Sequence, residues 1–325
     1  MKLRMDRKKI RMAAVLANLA VLSAVFWFFA STTDFSAGLK EKRIKIGACF
    51  MTMDSTYFEM LNNEIGSVIE EHGDVLISRD PGGSQERQNE QIEELVEEGV
   101  KAIFVTPVDW RGVGPALKKA RHEGVRIIVV DSQVYDKDLA DCTVTSDNFD
   151  AGTQIAKYLM TQVESAKIVL LKQPEVKSSM DRINGFKNAL KASGRYTIAA
   201  ELEYGGDEET AFKAVQGLLG SGIGFNAVFA INDAGALGSC GALEKQLPFR
   251  RVNIMGVNGS PVGKTMIKKK QMMVTAAQFP IDMGEKAAES MYALLGGKDC
   301  PKEIYIPVKL ITKYTIESYD TDKWQ

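Results

Sequence analysis

The sequence predicts an α/β fold with two lobes of similar plan, each built on a parallel sheet. From residue 44 onward, short apolar runs alternate with longer segments whose apolar residues recur at helical spacing, which is the pattern of successive β-α units. The alternation stops near residue 142, passes through Ser146-Asp147-Asn148, and then starts again. A length of 325 residues also favours two domains.

The first half of the alternation predicts strands at residues 44–50, 74–77, 102–106, 125–130 and 142–145. Helices are predicted between them at residues 57–71, 85–98 and 112–123. In the helix at residues 85–98, Ile92, Leu95 and Val96 fall on one face and give the helix an apolar side to bury.

The second half repeats this plan. Helices are predicted at residues 151–164, 179–192, 208–220 and 234–246, and strands at residues 167–171, 197–202, 227–231 and 252–257. The remaining chain predicts a strand at residues 273–277, a helix at 281–295 and a strand-like stretch at 304–314.

Polar residues follow the buried strands of both halves. Asp131 comes directly after the apolar run at residues 127–130, and Asn232 and Asp233 come directly after the run at 227–231. Ligands of open α/β sheets sit outside the carboxyl ends of the strands, so Asn232 is placed to face a ligand. Asp233 is placed to cap the helix that is predicted to begin at Ala234.

The N-terminus predicts export from the cytoplasm. Six basic residues between Lys2 and Arg11 precede an uncharged, largely apolar run at residues 12–33. Because the basic side stays in the cytoplasm, the rest of the chain is expected outside it. The run is longer than the core of a cleavable signal, so we predict an uncleaved membrane anchor at residues 12–30, with a cleaved signal as the alternative. A small, polar and then charged linker follows, ending at residue 43.

The composition argues against several classes of protein. The net charge of −1 gives no reason to expect a nucleic-acid partner. Neither His72 nor His122 has a cysteine or carboxylate at metal-ligand spacing. We therefore expect no metal, no cofactor and no catalytic residues. Disulfides are possible in an exported chain, but the four cysteines show no pair spacing, and Cys49 and Cys240 are expected to be buried apolar residues.

Eight short motifs occur in order along the exported chain, each after a predicted strand. They are Thr56-Tyr57-Phe58, Thr106-Pro107-Val108-Asp109, Val130-Asp131-Ser132, Thr145-Ser146-Asp147-Asn148, Asp181-Arg182-Ile183-Asn184-Gly185-Phe186, Asn232-Asp233, Gly256-Val257-Asn258-Gly259 and Ala277-Gln278-Phe279-Pro280. Through these motifs, residues 44–315 resemble the periplasmic sugar-binding proteins of type I fold, nearest their ribose-binding branch.

The resemblance implies two Rossmann-like lobes joined by a three-crossing hinge near residues 146–148, 278–279 and 307–309. The expected domains are residues 1–43 as anchor or signal and linker, residues 44–146 with 279–308 as lobe 1, and residues 147–278 with 309–325 as lobe 2. The lobes are expected to close around a ligand.

The resemblance also implies a ligand site with contributions from both lobes and the hinge. The candidate ligand-binding residues are Tyr57, Phe58, Asp131, Ser132, Arg182, Asn232, Asn258 and Gln278. These residue types suit a sugar, because flat aromatic rings cover its C–H face while carboxylate, guanidinium and amide groups pair with its hydroxyls.

This chain departs from the family at three places. Ser132 stands where ribose and hexose binders usually carry Arg, and Asn258 stands where they usually carry Asp. Gly205-Gly206 stands where many members place an aromatic residue. The binding role survives these changes, but the identity of the sugar does not follow from them.

A second short pattern, Gly263-Lys264-Thr265, has the appearance of a phosphate-binding loop. A P-loop needs another glycine five residues before Gly263, where this chain has Asn258. We therefore reject a nucleotide site and expect replacement of Lys264 to leave ligand binding nearly unchanged.

Three functions stay open on the sequence. The favoured one is a monomeric solute-binding protein that delivers a sugar-like ligand to an ABC permease. The same binding fold also serves as the ligand sensor of a membrane histidine kinase or chemoreceptor. An exported enzyme acting on sugars is disfavoured, because no nucleophile-base pair appears at the strand ends.

Overall fold

The computed structural model describes residues 12, 16–25, 27, 43–244 and 252–325. The chain divides into two compact units, Met1–Arg43 and Ile44–Gln325. In the first unit residues 16–25 are helical, while residues 2–11, parts of the predicted anchor (13–15, 26 and 28–30) and residues 31–42 of the linker lie outside the described residues. A search of the described residues finds no helix with the length and hydropathy needed to cross a membrane.

The described residues of the second unit, 44–244 and 252–325, form twelve strands in two six-stranded sheets. The chain first forms β1 (Lys45–Cys49), α1 (Thr56–Glu71), β2 (Val75–Arg79), α2 (Gln85–Glu97), β3 (Ala102–Val105), α3 (Gly114–His122), β4 (Arg126–Val130) and β5 (Cys142–Ser146). It continues with α4 (Asn148–Gln162), β6 (Ala166–Lys172), α5 (Lys177–Leu190), β7 (Tyr196–Glu203), α6 (Glu208–Leu219), β8 (Ala227–Ala230), α7 (Asp233–Glu244), β9 (Asn253–Asn258), α8 (Pro261–Lys268) and β10 (Val274–Ala277). The last elements are α9 (Pro280–Leu295), β11 (Glu303–Ile306) and β12 (Lys309–Thr312).

The two sheets have equivalent strand orders and differ only in the direction of the last edge strand, which confirms the predicted pair of similar α/β lobes. The strand order is β2-β1-β3-β4-β5-β11 in the first sheet and β7-β6-β8-β9-β10-β12 in the second. Among the described strands all neighbouring pairs are parallel except β10 and β12. Each sheet reverses its strand order beside its first strand, and this switch point is where doubly wound sheets bind ligands.

The chain crosses between the sheets three times, as the resemblance implies. It leaves the first sheet after β5, returns after β10 through α9, which packs on α1, β4 and β5, and crosses again between β11 and β12. The stretch predicted at residues 304–314 is therefore two strands in different sheets. Pro307 lies at this last crossing, where it has no N–H to contribute to either ladder.

Two glycines allow α4 and α5 to pack with their backbones in contact. A Cβ atom on Gly152 would lie 1.9 Å from the Arg182 carbonyl oxygen, and one on Gly185 would lie 1.9 Å from the Phe149 carbonyl oxygen. Only glycine fits at such an approach. The contact fixes the helix that carries Arg182 against the helix that begins at the first crossing.

Asp233 ties together the helices and strands that follow β8. Its Oδ2 accepts hydrogen bonds from the Ser260 backbone N–H and hydroxyl, both at 2.8 Å, and its Oδ1 accepts from the Thr275 hydroxyl at 2.6 Å. Gly263 leaves room for the Asp233 side chain, because a Cβ there would lie 2.2 Å from Oδ2.

The prediction that Asp233 caps its helix is wrong. The Asn232 side chain accepts from the Gly235 N–H at 2.7 Å and caps the helix instead.

The buried position of Asp233 predicts a pH-dependent stability. Burial raises the pKa of Asp233 from an ordinary 3.8 to about 6. Between these values the folded chain binds more protons at this site than the unfolded chain, so its stability falls as pH rises. Relative to Asp233→Asn, we expect the parent to gain roughly 2 kcal/mol of unfolding free energy as pH falls from 7 to 4. Urea unfolding across this range measures the difference, and a difference independent of pH would contradict the prediction.

Candidate ligand-binding site

The carboxyl ends of both sheets face a single cavity of about 600 Å³. This volume lies within the range of pockets that hold small molecules, roughly 300–1,000 Å³. All the sequence-predicted site residues except Ser132 line it, namely Tyr57, Phe58, Asp131, Arg182, Asn232, Asn258 and Gln278. The structure thus brings together side chains that are more than 200 residues apart in the sequence.

Two aromatic rings form an apolar wall of the cavity. Tyr57 and Phe58 meet edge to face, with ring centroids 5.3 Å apart, and Phe58 stacks on Phe50 at 6.1 Å. Both rings also pack in the core of the first sheet. They are therefore core residues and cavity residues at once, since the first turn of α1 lies between the sheet and the cavity.

Asp131 places a buried carboxylate at the end of β4. Its backbone has a φ of 66°, a left-handed conformation that Asp and Asn adopt more readily than most residues. The Asp131 N–H donates to the Val144 carbonyl at 2.9 Å, and its own carbonyl accepts from the Thr145 hydroxyl at 2.6 Å. These bonds, which tie it to β5, hold the turn.

The Asp131 carboxylate has an unmet capacity to accept hydrogen bonds. The side chain is buried, and among the residues that the structure describes its Oδ1 has no hydrogen-bond partner. Burial raises the pKa of Asp131, while the charge of Arg182 and the nearby Tyr57 hydroxyl lower it. A buried oxygen without a partner carries a desolvation cost that a donor in the cavity would remove.

Arg182 is a hydrogen-bonding hub at the meeting point of the hinge and the second sheet. Its Nε donates to Asn148 Oδ1 at 2.7 Å, its Nη1 to the Ile231 carbonyl at 2.7 Å and its Nη2 to Gln278 Oε1 at 2.6 Å. Burial lowers the pKa of Arg182, and the charge of Asp131 opposes that change. A guanidinium has five N–H groups, so these three bonds leave two N–H groups of a residue that lines the cavity for other partners.

Amide side chains extend the hub across the cavity floor. Gln278 Nε2 donates to Asn258 Oδ1 at 3.0 Å, so the carbonyl of Gln278 serves Arg182 and its amino group serves Asn258. With its oxygen occupied, Asn258 presents its amino group as a donor. Both ends of the Asn232 amide already have partners within the protein. Its oxygen, which caps α7, also accepts from the Tyr204 hydroxyl at 2.9 Å, and its amino group donates to the Gly206 carbonyl at 2.6 Å.

Ser132 lies apart from the other predicted residues. It lines a smaller neighbouring cavity of about 330 Å³, and its hydroxyl accepts from the Ser178 N–H at 3.2 Å. Since Ser178 is in the first turn of α5, this bond joins the two lobes. A second bond of this kind runs from the Trp110 backbone N–H to the Glu175 carbonyl at 3.0 Å.

Asn148 is a partner of Arg182 that the sequence did not indicate, and it lines the smaller cavity beside Ser132 rather than the 600 Å³ cavity. It was assigned only to the hinge, yet its oxygen accepts from Arg182 while its amino group donates to Thr145 Oγ1 at 3.1 Å and to the Ser146 carbonyl at 3.0 Å. Its position next to the Ser146-Asp147 crossing was the available signal. The residues that line the 600 Å³ cavity and that the sequence did not indicate include Met51, Gln173, Val176 and Ser179.

The arrangement suits the binding of a polar molecule rich in hydroxyl groups. It combines an apolar face, a buried carboxylate at Asp131 and several fixed donors, and three further acidic residues, Asp54, Asp207 and Glu208, line the cavity. Within the part of the chain that the structure describes, no group of His, Cys, Asp and Glu side chains could hold a metal ion.

Comparison with known proteins identifies the family. Residues 46–299 match the periplasmic binding protein domain. The chain belongs to the periplasmic binding protein family. The resemblance read from the eight motifs is thereby confirmed, and the family is one of extracytoplasmic substrate-binding proteins rather than enzymes.

Individual members of the family match over most of their length. The chain is 26% identical over 275 residues to the ribose import binding protein of Bacillus subtilis, covering 84% of this chain and 88% of that protein. An ABC transporter solute binding protein from Mycobacterium smegmatis with bound glycerol superposes with a TM-score of 0.81 at 25% identity, covering 87% and 100% of the two chains. A solute binding protein from Bacillus halodurans with bound myo-inositol gives 0.80 at 21% identity, covering 85% and 97%.

The hub at Arg182 predicts a large loss of stability when its charge is removed. Arg182→Met leaves the Asp131 carboxylate buried without its cation and the Ile231 carbonyl without its donor. We expect the free energy of unfolding in urea to fall by roughly 3–5 kcal/mol, as for other broken buried pairs.

Lys187→Met on the same helix is the matched control. Lys187 pairs with Glu201 at the surface, so its loss should cost less than about 1 kcal/mol. Equal losses in the two variants would show that Arg182 is not a structural hub.

Proposed function

We propose that this protein is an extracytoplasmic solute-binding protein that captures a sugar or sugar-like molecule between its lobes and presents it to an ABC permease. Membership of the periplasmic binding protein family supports this function. So do a relative named as a ribose import binding protein and fold relatives that hold glycerol and myo-inositol. All three of these ligands are small polyhydroxylated molecules.

The observation that carries the proposal is the buried Asp131 Oδ1, which has no hydrogen-bond partner among the described residues and lies near enough to Arg182 for the two charges to interact. A ligand hydroxyl is both donor and acceptor, so one polyol can donate to Asp131 and accept from Arg182. These are charge-assisted hydrogen bonds, roughly twice as strong as neutral ones. Because Asp131 follows the first sheet and Arg182 belongs to the second lobe, such a ligand links the two lobes.

We propose a distinct role for each predicted site residue other than Asp131 and Arg182. Tyr57 and Phe58 cover an apolar face of the ligand, and the amino group of Asn258 donates to it. Gln278 contributes mainly by orienting Asn258 and Arg182, while Asn232 shapes the wall. Ser132, which is directed away from this cavity, is proposed to stabilise the closed arrangement through Ser178.

We further propose the domain boundaries given by the sequence, with residues 44–146 and 279–308 as lobe 1 and residues 147–278 and 309–325 as lobe 2. The assignment of α9 and β11 to the first sheet, and of β12 to the second, supports these bounds. Function as a monomer with an ABC permease is proposed over function as a kinase or chemoreceptor sensor, because the named relatives are import proteins.

A ligand panel tests the proposed function. The full chain is heated with D-ribose, D-xylose, D-allose, L-arabinose, glycerol or myo-inositol, each in large excess. A compound at 100 times its dissociation constant adds about 2.7 kcal/mol of stability, and we expect a rise of about 5 °C in the melting temperature for at least one of them. A panel without any rise that saturates with concentration would contradict a site for sugars and polyols.

Asp131→Asn shows whether the rise comes from the proposed cavity. Asn tolerates the left-handed backbone at this position, so the variant removes the charge without adding strain. We expect its affinity for the active compound to fall about 10- to 150-fold. Asp138→Asn, which changes an exposed carboxylate outside the cavity, should bind as the parent does. Unchanged affinity in Asp131→Asn would place the ligand elsewhere.

We also propose that residues 12–30 anchor the protein at the outer face of the cell membrane, because the apolar run exceeds a cleavable signal core. N-terminal sequencing of the protein from membranes should then read the basic residues of positions 2–11. A sequence that begins between Ser31 and Lys40 would show a cleaved signal instead.

A further inference from the structure

Lys264, the residue that gave the false phosphate-loop pattern, is a buried lysine with defined partners. Its side chain is 1% exposed, whereas lysine is almost never fully buried unless it is paired. Its ammonium donates to the Lys323 carbonyl and to Gln325 Oε1, the latter at 3.2 Å. Lys264 therefore binds the segment at residues 320–325, which is called the clasp below.

The clasp also contacts the backbone of two candidate site residues. Gln325 Nε2 donates to the carbonyls of Asn258, at 3.0 Å, and Gln278. Gly259 makes this approach possible, since it has a φ of +66° and a Cβ there would lie 2.8 Å from Gln325 Nε2. One side chain thus holds the end of β9 and the start of the second crossing together.

The clasp reaches the first lobe through its neighbouring residue. The Trp324 ring meets the Tyr57 ring edge to face, with centroids 5.5 Å apart and an interplanar angle of 68°. Trp324 packs against the same core cluster as Tyr57 and Met283. Consecutive residues of one segment therefore contact the aromatic wall of the cavity and its amide floor.

We propose that Trp324, Gln325 and Lys264 are positioning residues for the ligand site, and that the clasp is a non-covalent link between the lobes beside the second crossing. Trp324 fixes the Tyr57 ring, and Gln325, held by Lys264, fixes the backbone that presents Asn258 and Gln278. The proposal rests on the proposed function in one respect only, namely that the 600 Å³ cavity is where the ligand binds.

The link couples the clasp to ligand binding in both directions. A ligand that contacts Tyr57 and Asn258 favours the arrangement in which the clasp is docked, and a docked clasp favours the ligand by the same factor. We therefore expect replacement of Lys264 to weaken ligand binding, whereas the sequence alone predicted almost no effect.

Hydrogen exchange of the ligand-free full chain tests the positioning role without any ligand. Trp324→Ala should speed the exchange of amide hydrogens in peptides that contain Tyr57. Lys264→Met should speed it in peptides that contain Gln278. The expected change is about tenfold for one lost aromatic contact or hydrogen bond. Gln325→Ala provides a third variant if either of these fails to fold.

Affinity for the active compound of the panel provides the second measurement. Trp324→Ala and Lys264→Met should each bind about tenfold more weakly than the parent. Trp324→Phe, which retains a ring against Tyr57, should restore most of the affinity. If the clasp had only a structural role, the variants would lower the melting temperature but would not show this loss and restoration of affinity.

Two controls match the chemistry of the variants. Lys268→Met removes an exposed lysine one turn along α8, and Lys323→Ala removes a side chain from the clasp while keeping the carbonyl that Lys264 uses. Both should behave as the parent does.

The outcomes separate the two proposals. If no compound of the panel binds the parent, the proposed function fails, and the exchange measurement still decides whether the clasp holds Tyr57 and Gln278. If the parent binds but Trp324→Ala and Lys264→Met bind equally well and exchange equally slowly, the positioning role is overturned.

Discussion

The buried guanidinium of Arg182 is the group around which the interface between the two halves of the protein is organised. Its three hydrogen bonds reach the first helix after the hinge, the end of β8 and the second crossing. Removing such a cation from water costs free energy unless its surroundings supply hydrogen-bond acceptors and a negative charge. The close contact of α4 with α5, the orientation of the Gln278 amide and the nearby charge of Asp131 are all parts of that arrangement.

The same constraint explains why the departures from the family pattern are tolerated. In place of an anion at position 258, the chain has an amide whose oxygen is occupied by Gln278. In place of a cation at position 132, it has a hydroxyl that accepts from the first turn of α5. Because Ser132 lines the neighbouring cavity, only the change at position 258 alters the charge of the 600 Å³ cavity. Among the described residues that line that cavity, Arg182 is the one cation, beside the acidic residues Asp54, Asp131, Asp207 and Glu208.

Sequence periodicity was sufficient to predict the architecture, because strand and helix patterns are local. Most observed element bounds lie within a few residues of the predicted ones, and the exceptions are informative. Asn232 rather than Asp233 caps α7, because the Asp233 carboxylate is used by Ser260 and Thr275, which are far away in sequence.

The composition of the candidate site was partly predictable for a related reason. Side chains at strand ends converge on one edge, so Asp131, Asn232 and Asn258 could be placed in advance. The direction of Ser132 and the docking of residues 323–325 could not, since they depend on a left-handed turn and on long-range contacts that leave no periodic signal. Lys264 was judged by its neighbours in sequence, whereas its partners lie about sixty residues away.

The return of α9 and β11 to the first sheet has a consequence for how the chain acquires its structure. The first five strands are complete by residue 146, but the apolar face formed by α1, β4 and β5 is covered by Met283, Ala287 and Met291 of α9. During synthesis or export, this face stays open until well over a hundred further residues have followed. Contacts of such high sequence separation slow folding and leave apolar surface available for aggregation. The lobe whose sequence comes first is thus completed only near the end of the chain, and a chain interrupted between the two halves would carry a sheet with one side uncovered.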